Sequence, residues 1–575
     1  MTRTLTRPVY LVGIILLAAG IFLRLWHIRD IPLGYYYDEM DHVFTAEAVA
    51  RYGTDIAGTW TPLSLKPLAS ENLMAELPAL LHAPFQKIFG FGPRSGRLPN
   101  AFYGLGLVAL IMALGQRLFN RPALTLLIGG TVAVNPWHVH VSRTAYEAPL
   151  SVFFQALLLY GLVLFWSTRR LRGLLVACLG IFFGFFTYHG AKITIPVLAA
   201  FAAAYSVATL RRSPRTLAGI LLPVIFTSAL VFSYLRPGQN QSLGTRRQEI
   251  ISADYLAGLV NDRRRLSLAI PGKNLLTNKV TVFTEEILRR YFFVFDPRRL
   301  FSTGMENSFQ FSLFVHPYFY LSGLPLLAIG LVYSWNHFRR QALLLLGLLL
   351  VSPATSLITI GYQTTFRSGL TYLLLSVFIG VGLYALTARF TRPLARLAIF
   401  IALGLEIVVF TGQYFSRYPI ISADNHHFFE RLLSAYTARV TQPMTVVTTQ
   451  PFITARSLVS YLDLMPHLSD RDRGQFAHTT LGRFALTGRL TITSDCPLSP
   501  GIHIFDPDKF TQCAPATPAL ALGSPIDSRA YYYITGDPLC SQVSLPRYVY
   551  TSSLADFQLG TLSDAKFCST WLYSP

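Results

Sequence analysis

The chain has 575 residues, of which 52% are apolar and only 14% charged, and its formal net charge is +20. Soluble proteins average about 25% charged residues, so this composition excludes an ordinary soluble protein and points to a polytopic α-helical membrane protein. The basic excess sits largely in short hinges between apolar runs. Membrane topology therefore accounts for it, and nucleic acid is not expected as a partner.

In chain order, the first apolar run covers 8–27. The stretch "AAGIFLRLWHIRD" offers no small-residue cleavage site at a polar boundary, so it reads as a retained helix and not as a signal peptide. Further runs approach the ~20 residues that a helix needs to cross a bilayer. They lie near 98–118, 121–136, 147–166, 172–188, 191–210, 216–235, 313–334, 341–360, 368–387 and 394–415, giving about eleven transmembrane helices. Basic connections such as Arg169, Arg170 and Arg172, or Arg211, Arg212 and Arg215, alternate with polar ones of low charge. The positive-inside rule makes the basic side cytoplasmic. The N-terminus is then cytoplasmic and, with an odd number of spans, the C-terminal segment lies outside a plasma (inner) membrane.

Cys496, Cys513, Cys540 and Cys568 all fall in that last segment, whereas Cys178 lies in an apolar run. An even set in an oxidising compartment suits two disulfides, with three pairings open. The expected division is a membrane-embedded domain at 1–415 and an extracytoplasmic mixed α/β domain at 416–575. Outer loops 28–97 and 236–312 would lie near the site. The first should hold helices at 39–52 and near 71–89. The second is strongly basic, from Arg246 to Arg299, and invites an anionic partner. After residue 415, "TVVTT", "GIHIF", "AYYYIT" and "RYVYTS" read as short strands, with a helix at 453–464.

The densest acidic cluster stands in "IPLGYYYDEMDHVFTAEAVARYG", residues 31–53, where the first span leaves the bilayer. Asp38, Asp41, His42 and Thr45 recur at helical spacing and would share one face of a helix lying at the interface. The structural alternative is that Asp38 is an N-cap, with Asp41 completing a capping box. A cap does not account for Asp38 and Glu39 side by side. Other outer connections bring distinctive polar groups. "NPWHVHVSRTAYE" offers His138, His140, Arg143 and Glu147; "TYHGAK" offers Tyr188, His189 and Lys192; "GYQTTFRS" offers Gln363 and Arg367. Carboxylates facing several cations suit a reaction on a phosphate-bearing substrate, with the cations on the phosphate and a carboxylate taking a proton from an attacking hydroxyl.

These motifs carry a family resemblance. The Asp38–Glu39 pair, "FGFGPRSGRLPNAFYG", "NPWHVHVSRTAYEAP", "GFFTYHGAKITIP" and "FRSGLTYLLLSVFIGVG" resemble the GT-C membrane glycosyltransferases over roughly residues 8–390. That group includes protein O-mannosyltransferases and lipid A aminoarabinose and galacturonic acid transferases. The resemblance implies an enzyme that moves a sugar, with inversion, from a polyprenyl-phosphate carrier to a lipid, polysaccharide or protein acceptor at the outer face. It makes Asp38 the candidate general base and Glu39 a supporting carboxylate. Arg143, Lys192 and Arg367 become phosphate-binding candidates, and His42, Glu71, Glu76, His138, Glu147, Tyr188 and His189 further cavity candidates. Lys192 stands where relatives often have arginine, which exchanges a bidentate fork for a point charge. "LKPLASENLMAELPALLHAPF" lacks the acidic-Lys-Pro-Pro run of the aminoarabinose transferases. Glu71 or Glu76 would replace its acid, and a divalent metal is left open.

Two other classes compete. A transporter or flippase of an anionic lipid-linked substrate would keep its site near the bilayer midplane, where Glu406 is the notable ionisable residue. A non-catalytic scaffold would use the C-terminal domain and leave the acidic pair idle.

Overall fold

The computed structural model describes residues 6–58, 74–209, 214–236, 249–304, 312–314, 316–361, 364–390, 392–476, 482–497, 500–513, 520–540, 544–549, 551 and 553–575. The helices described before residue 236 are α1 (Thr6–Leu25), α2 (Tyr37–Tyr52), α3 (Pro78–Phe89), α4 (Leu98–Phe119), α5 (Pro122–Val134), α6 (Pro136–Ser142), α7 (Glu147–Thr168), α8 (Leu171–Thr187), α9 (Ala191–Thr209) and α10 (Pro214–Leu235). The chain forms two compact units.

The first unit, Met1–Arg24 with Phe102–Ser142 and Glu147–Thr411, is a helical bundle. Among the described residues six helices are long and apolar enough to cross a membrane, and shorter apolar helices accompany them. Three expected spans are interrupted near a proline, although the one interrupted at Pro353 still counts among those six, as Arg339–Ile358. The run 121–136 breaks at Asn135, because Pro136 cannot donate to the helix and opens α6. The run 341–360 divides at Pro353 into Arg339–Val351 and Ala354–Ile358. The run 313–334 becomes helical only at Gly323, after Pro317. Small residues let helices meet at backbone distance, as is usual where lipid gives no hydrophobic drive to association. A Cβ on Gly330 or Gly382 would collide with the backbone of the opposing helix, at Phe378 O or Leu326 O. Glu406, the ionisable residue of the helix middles, accepts the Ser322 backbone N–H at 3.1 Å and the Ser322 hydroxyl. It closes a helix start and is satisfied in that role.

The second unit joins Leu25–Ala101, Arg143–Tyr146 and Gly412–Pro575. Its sheet comprises β1 (Met444–Val447), β2 (Arg483–Leu486), β3 (Leu490–Thr493), β4 (Ile502–Phe505), β5 (Leu520–Gly523), β6 (Ala530–Thr535) and β7 (Leu572–Tyr573). The order is β2-β3-β1-β4-β6-β5-β7, with β1 parallel to both β3 and β4 and the remaining pairs antiparallel. The expected helix at 453–464 runs from Pro451 to Tyr461. "RYVYTS" gives no strand among its described residues. There Val549 instead packs at Gly523, and its N–H donates to Ser528 Oγ at 3.1 Å. The cysteines pair as Cys496–Cys513 and Cys540–Cys568, while Cys178 is free.

One hydrophobic core serves the sheet and the segment around α2 together. Leu33, Phe44 and Ala48 pack with Phe428, Leu432, Val446, Leu458 and Trp571. The helix expected near 71–89 is α3, and residues 59–73, with Glu71, lie outside the described residues.

Candidate active site

The acidic pair is set by how α2 begins. Tyr36 is the N-cap residue with extended backbone (φ −63°, ψ 159°), and Glu39, three residues on, reaches back to accept its N–H at 3.2 Å. That is the backward half of a capping box. The cap therefore stands two residues before Asp38, and Glu39 takes the position expected for Asp41. Asp38 lies in the first turn, where the aligned peptide dipoles favour an anion.

Adjacent positions on a helix face about 100° apart, and the two carboxylates meet opposite environments. Asp38 is half-buried, whereas Glu39 is fully enclosed. Glu39 Oε1 accepts the Ala145 N–H at 2.8 Å and lies 3.5 Å from Arg97 Nε, and Oε2 lies 3.3 Å from His426 Nδ1. Burial by itself would raise this carboxyl. The Arg97 charge, the His426 bond and the Ala145 N–H outweigh it and hold Glu39 at about 2. Because a carboxylate only accepts, His426 carries its proton on Nδ1, and Nε2 accepts the Tyr418 hydroxyl at 2.9 Å. Burial keeps His426 below the ordinary histidine range, against the pull of Glu39, so the ring is neutral.

Arg97 is pinned as firmly. Its Nη1 donates to Pro32 O at 2.6 Å, its Nη2 to Gly34 O, and its guanidinium lies 4.2 Å from the Tyr35 ring centre. Gly34 is required by close approach, since a Cβ there would strike His426 O. Tyr35 is itself buried and donates to Pro93 O.

The polar stripe that the spacing suggested is enclosed: every residue from Glu39 to Val49 is buried, with Ala46 and Val49 against α3, Met40 and Val43 against Tyr35 and Ala145, and Phe44 and Ala48 in the core of the C-terminal part of the unit. Asp41 pairs with the buried Arg456. The ring of His42 sits 6.3 Å from that of His82, and burial, with His82 second, pushes it down to about 3. His82 Nε2 in turn meets Asn100 Oδ1 at 3.2 Å, and Asn100 Nδ2 donates to Tyr146 O at 2.8 Å. Glu47 binds Arg51 at 2.9 Å, yet burial raises it to about 7. Arg143, in the same unit, donates to Ile31 O at 3.0 Å; burial lowers it to about 10. Glu76 is buried too. Among the described residues no group of three His, Cys, Asp or Glu is placed to hold a metal ion.

His138, Glu147, Tyr188, His189, Lys192 and Arg367 belong to the helical unit. His138 Nδ1 lies 2.8 Å from Arg24 Nη2. Tyr188, His189 and Lys192 stand half-buried at the turn between α8 and α9, with Lys192 Nζ 4.9 Å from the Tyr234 ring centre. Glu147 opens α7. Arg367 pairs with Glu249 at 3.0 Å and donates to Ile360 O at 3.0 Å. Gln363 is outside the described residues.

Two residues escaped the sequence reading. Arg97 and His426 hold Glu39. The signals were an arginine in "GPRSGRLPN" and the His pair in "ADNHHFFE" directly after the last span. Arg299, in the basic loop, is 4% exposed, yet it donates to neutral oxygens: Thr364 Oγ1 at 2.8 Å, the Tyr372 hydroxyl at 3.3 Å and Val294 O at 3.4 Å. Among the described residues no carboxylate lies within ion-pair distance of it.

Residues 76–233 match the family model described as dolichyl-phosphate-mannose-protein mannosyltransferase. The structure aligns with ArnT from Cupriavidus metallidurans bound to undecaprenyl phosphate, at 12% identity and a TM-score of 0.50, over 92% of this chain and 97% of that one. It also aligns with the apo oligosaccharyltransferase of Archaeoglobus fulgidus at 13% identity and a TM-score of 0.43, over 79% of this chain; the chain spans 64% of that transferase's length. No curated protein sequence matches. The chain thus shares the fold of ArnT, and part of its helical region matches the pattern of a mannosyltransferase family.

Proposed function

We propose that the chain transfers a sugar from a polyprenyl-phosphate carrier to an acceptor hydroxyl at the outer face of the membrane, with Asp38 as general base. The observation that carries this reading is the division of labour in the acidic pair. Glu39 is an anion with both oxygens engaged by Ala145, Arg97, Tyr36 and His426, so it has no capacity to take a substrate proton. Asp38 is half-buried on the adjoining position and reaches solvent.

In this reaction the acceptor oxygen attacks the anomeric carbon opposite the phosphate. The carbon–oxygen bond to phosphate breaks, its electron pair leaves with polyprenyl phosphate, and the acceptor proton passes to Asp38. One displacement inverts the anomeric carbon and needs no enzyme nucleophile. The leaving phosphate requires cations. Lys192 and Arg367 are the motif-based candidates, and Arg299 adds a buried guanidinium that no carboxylate of the described residues neutralises.

The test follows donor consumption by mass spectrometry, using purified protein in lipid, a panel of polyprenyl-phosphate sugars and a mixed acceptor extract. The reading expects one donor to be consumed by wild type and not by Asp38→Asn. Full activity in Asp38→Asn would sink it.

A further inference from the structure

The parallel centre of the C-terminal sheet has a feature that the transfer reaction leaves unused. From β1 the chain enters the Pro451–Tyr461 helix and returns on the β3 side of the sheet. From β4 it enters Pro507–Cys513 and returns through β5 on the β6 side. β1 and β4 are hydrogen-bonded neighbours, with Val447 opposite Phe505, so their onward connections leave in opposite directions. In open α/β sheets this arrangement parts the loops at the carboxyl ends of the two strands and leaves a crevice suited to a ligand.

The residues at that switch point are a carboxylate, held as a floor, and neutral hydrogen-bonding groups beside aromatic rings. The floor is fixed, since Asp506 accepts the Thr449 N–H at 2.6 Å and the Thr449 hydroxyl at 3.0 Å. Gln450 is exposed, and its Oε1 accepts the Tyr37 hydroxyl at 2.8 Å. That bond leaves the Gln450 amide N–H pair as a donor at the mouth. The rings of Tyr37 and His427 meet at 3.7 Å, and those of His427 and Phe429 at 5.1 Å, with Tyr37 and Phe429 half-buried. Tyr37 immediately precedes Asp38, so one tyrosine side chain spans from the start of α2 to the switch point.

We infer that this crevice, with Gln450 and Tyr37 at its mouth, binds the acceptor, and that the acceptor is a neutral saccharide. Amide and hydroxyl groups beside aromatic rings match a sugar's hydroxyls and apolar C–H face. An anionic ligand would meet the Asp506 carboxylate, and the nearby Arg529 is already paired with Asp424. The inference rests on Asp38 as the base, because it puts the acceptor's binding site beside the group that deprotonates it.

Binding is read without turnover, by ligand-observed NMR on the full chain in lipid nanodiscs. The probes are mannotriose, triacetylchitotriose and maltotriose, with a Ser/Thr-containing peptide alongside. At least one trisaccharide should bind. Gln450→Ala, at an exposed position, should weaken it about fivefold through the loss of one hydrogen bond, and Tyr37→Ala should weaken it further. The inference is overturned if no trisaccharide binds folded wild type, if both variants bind as wild type does, or if only the peptide binds. Asp38→Asn should keep the trisaccharide affinity while losing transfer. An active Asp38→Asn with affected Gln450→Ala would instead remove the transfer reading and leave the saccharide site standing.

Discussion

In the second unit each buried carboxylate of α2 has a guanidinium beside it: Glu39 has Arg97, Asp41 has Arg456 and Glu47 has Arg51. In the helical unit Arg290 is paired in the same manner, with Glu286 at 3.2 Å, but Arg299 is buried among hydroxyls and a carbonyl. Removing ions from water costs several kcal/mol each, and a nearby opposite charge repays it. The paired ions hold structure together. Among the described residues Arg299 has no carboxylate within ion-pair distance, and Asp38 stands half-buried beside a neighbour that is fully committed.

The largest expected effect separates the members of the acidic pair. Asp38→Asn should lower transfer by about 10²–10⁴-fold, the usual contribution of a general base, with an unchanged melting temperature. If Asp38→Asn melts early, the contrast between the two positions fails. Glu39→Gln should show the converse, a loss of about 3–5 kcal/mol in stability because Arg97 is left buried without its anion. Denaturant unfolding in detergent would measure it, and an unaffected midpoint would break the comparison. The Glu39 contribution also has a pH signature. Its pKa is depressed from 4.5 to about 2, so its stabilisation is present above 4.5 and is lost as pH falls towards 2.

Arg299→Gln should sharpen the other side. It is expected to raise the KM for the lipid-phosphate donor by about ten- to hundredfold, the worth of a charge-assisted bond, and to disturb folding less than Glu39→Gln does. An equal loss of stability with an unchanged donor KM would reduce Arg299 to a structural ion. The smallest effect belongs to Glu430, a buried carboxyl that accepts the Ser457 hydroxyl and that burial raises to about 7. A raised carboxyl stabilises the fold fully below about 4.5, and this contribution disappears as pH rises through 7. Glu430→Gln keeps the acceptor and removes the titration. It should match wild type at pH 4 and be more stable at pH 6, by about 2 kcal/mol; parallel pH profiles for the two proteins would show that Glu430 does not titrate there.

The bundle and its helical positions were legible in the sequence, since spans of apolar residues permit little else in a bilayer. So were four paired cysteines and, through loose motifs, the GT-C fold. Within the spans the local rule that hydropathy overlooks was proline, which divided 121–136 and 341–360 and delayed the helix expected at 313–334. The site was half legible. Charge scarcity singled out Asp38 and Glu39, and their adjacency suggested chemistry, but their roles were not separable from spacing. His426 lies 387 positions from Glu39 in sequence and Arg456 lies 415 from Asp41. No local pattern encodes pairs so far apart.

The amino-acid sequence by itself determined that this chain crosses a membrane many times, where its acids concentrate and which cysteines were available to pair. Only the tertiary structure decided that α2 is enclosed by α3 together with the C-terminal part of its unit, that Glu39 is paired there while Asp38 remains half-buried, and that the sheet switches direction beside them. The reason is physical. Hydropathy and propensity are sums over neighbours in sequence, whereas desolvation and ion pairing depend on which distant groups displace water from a side chain.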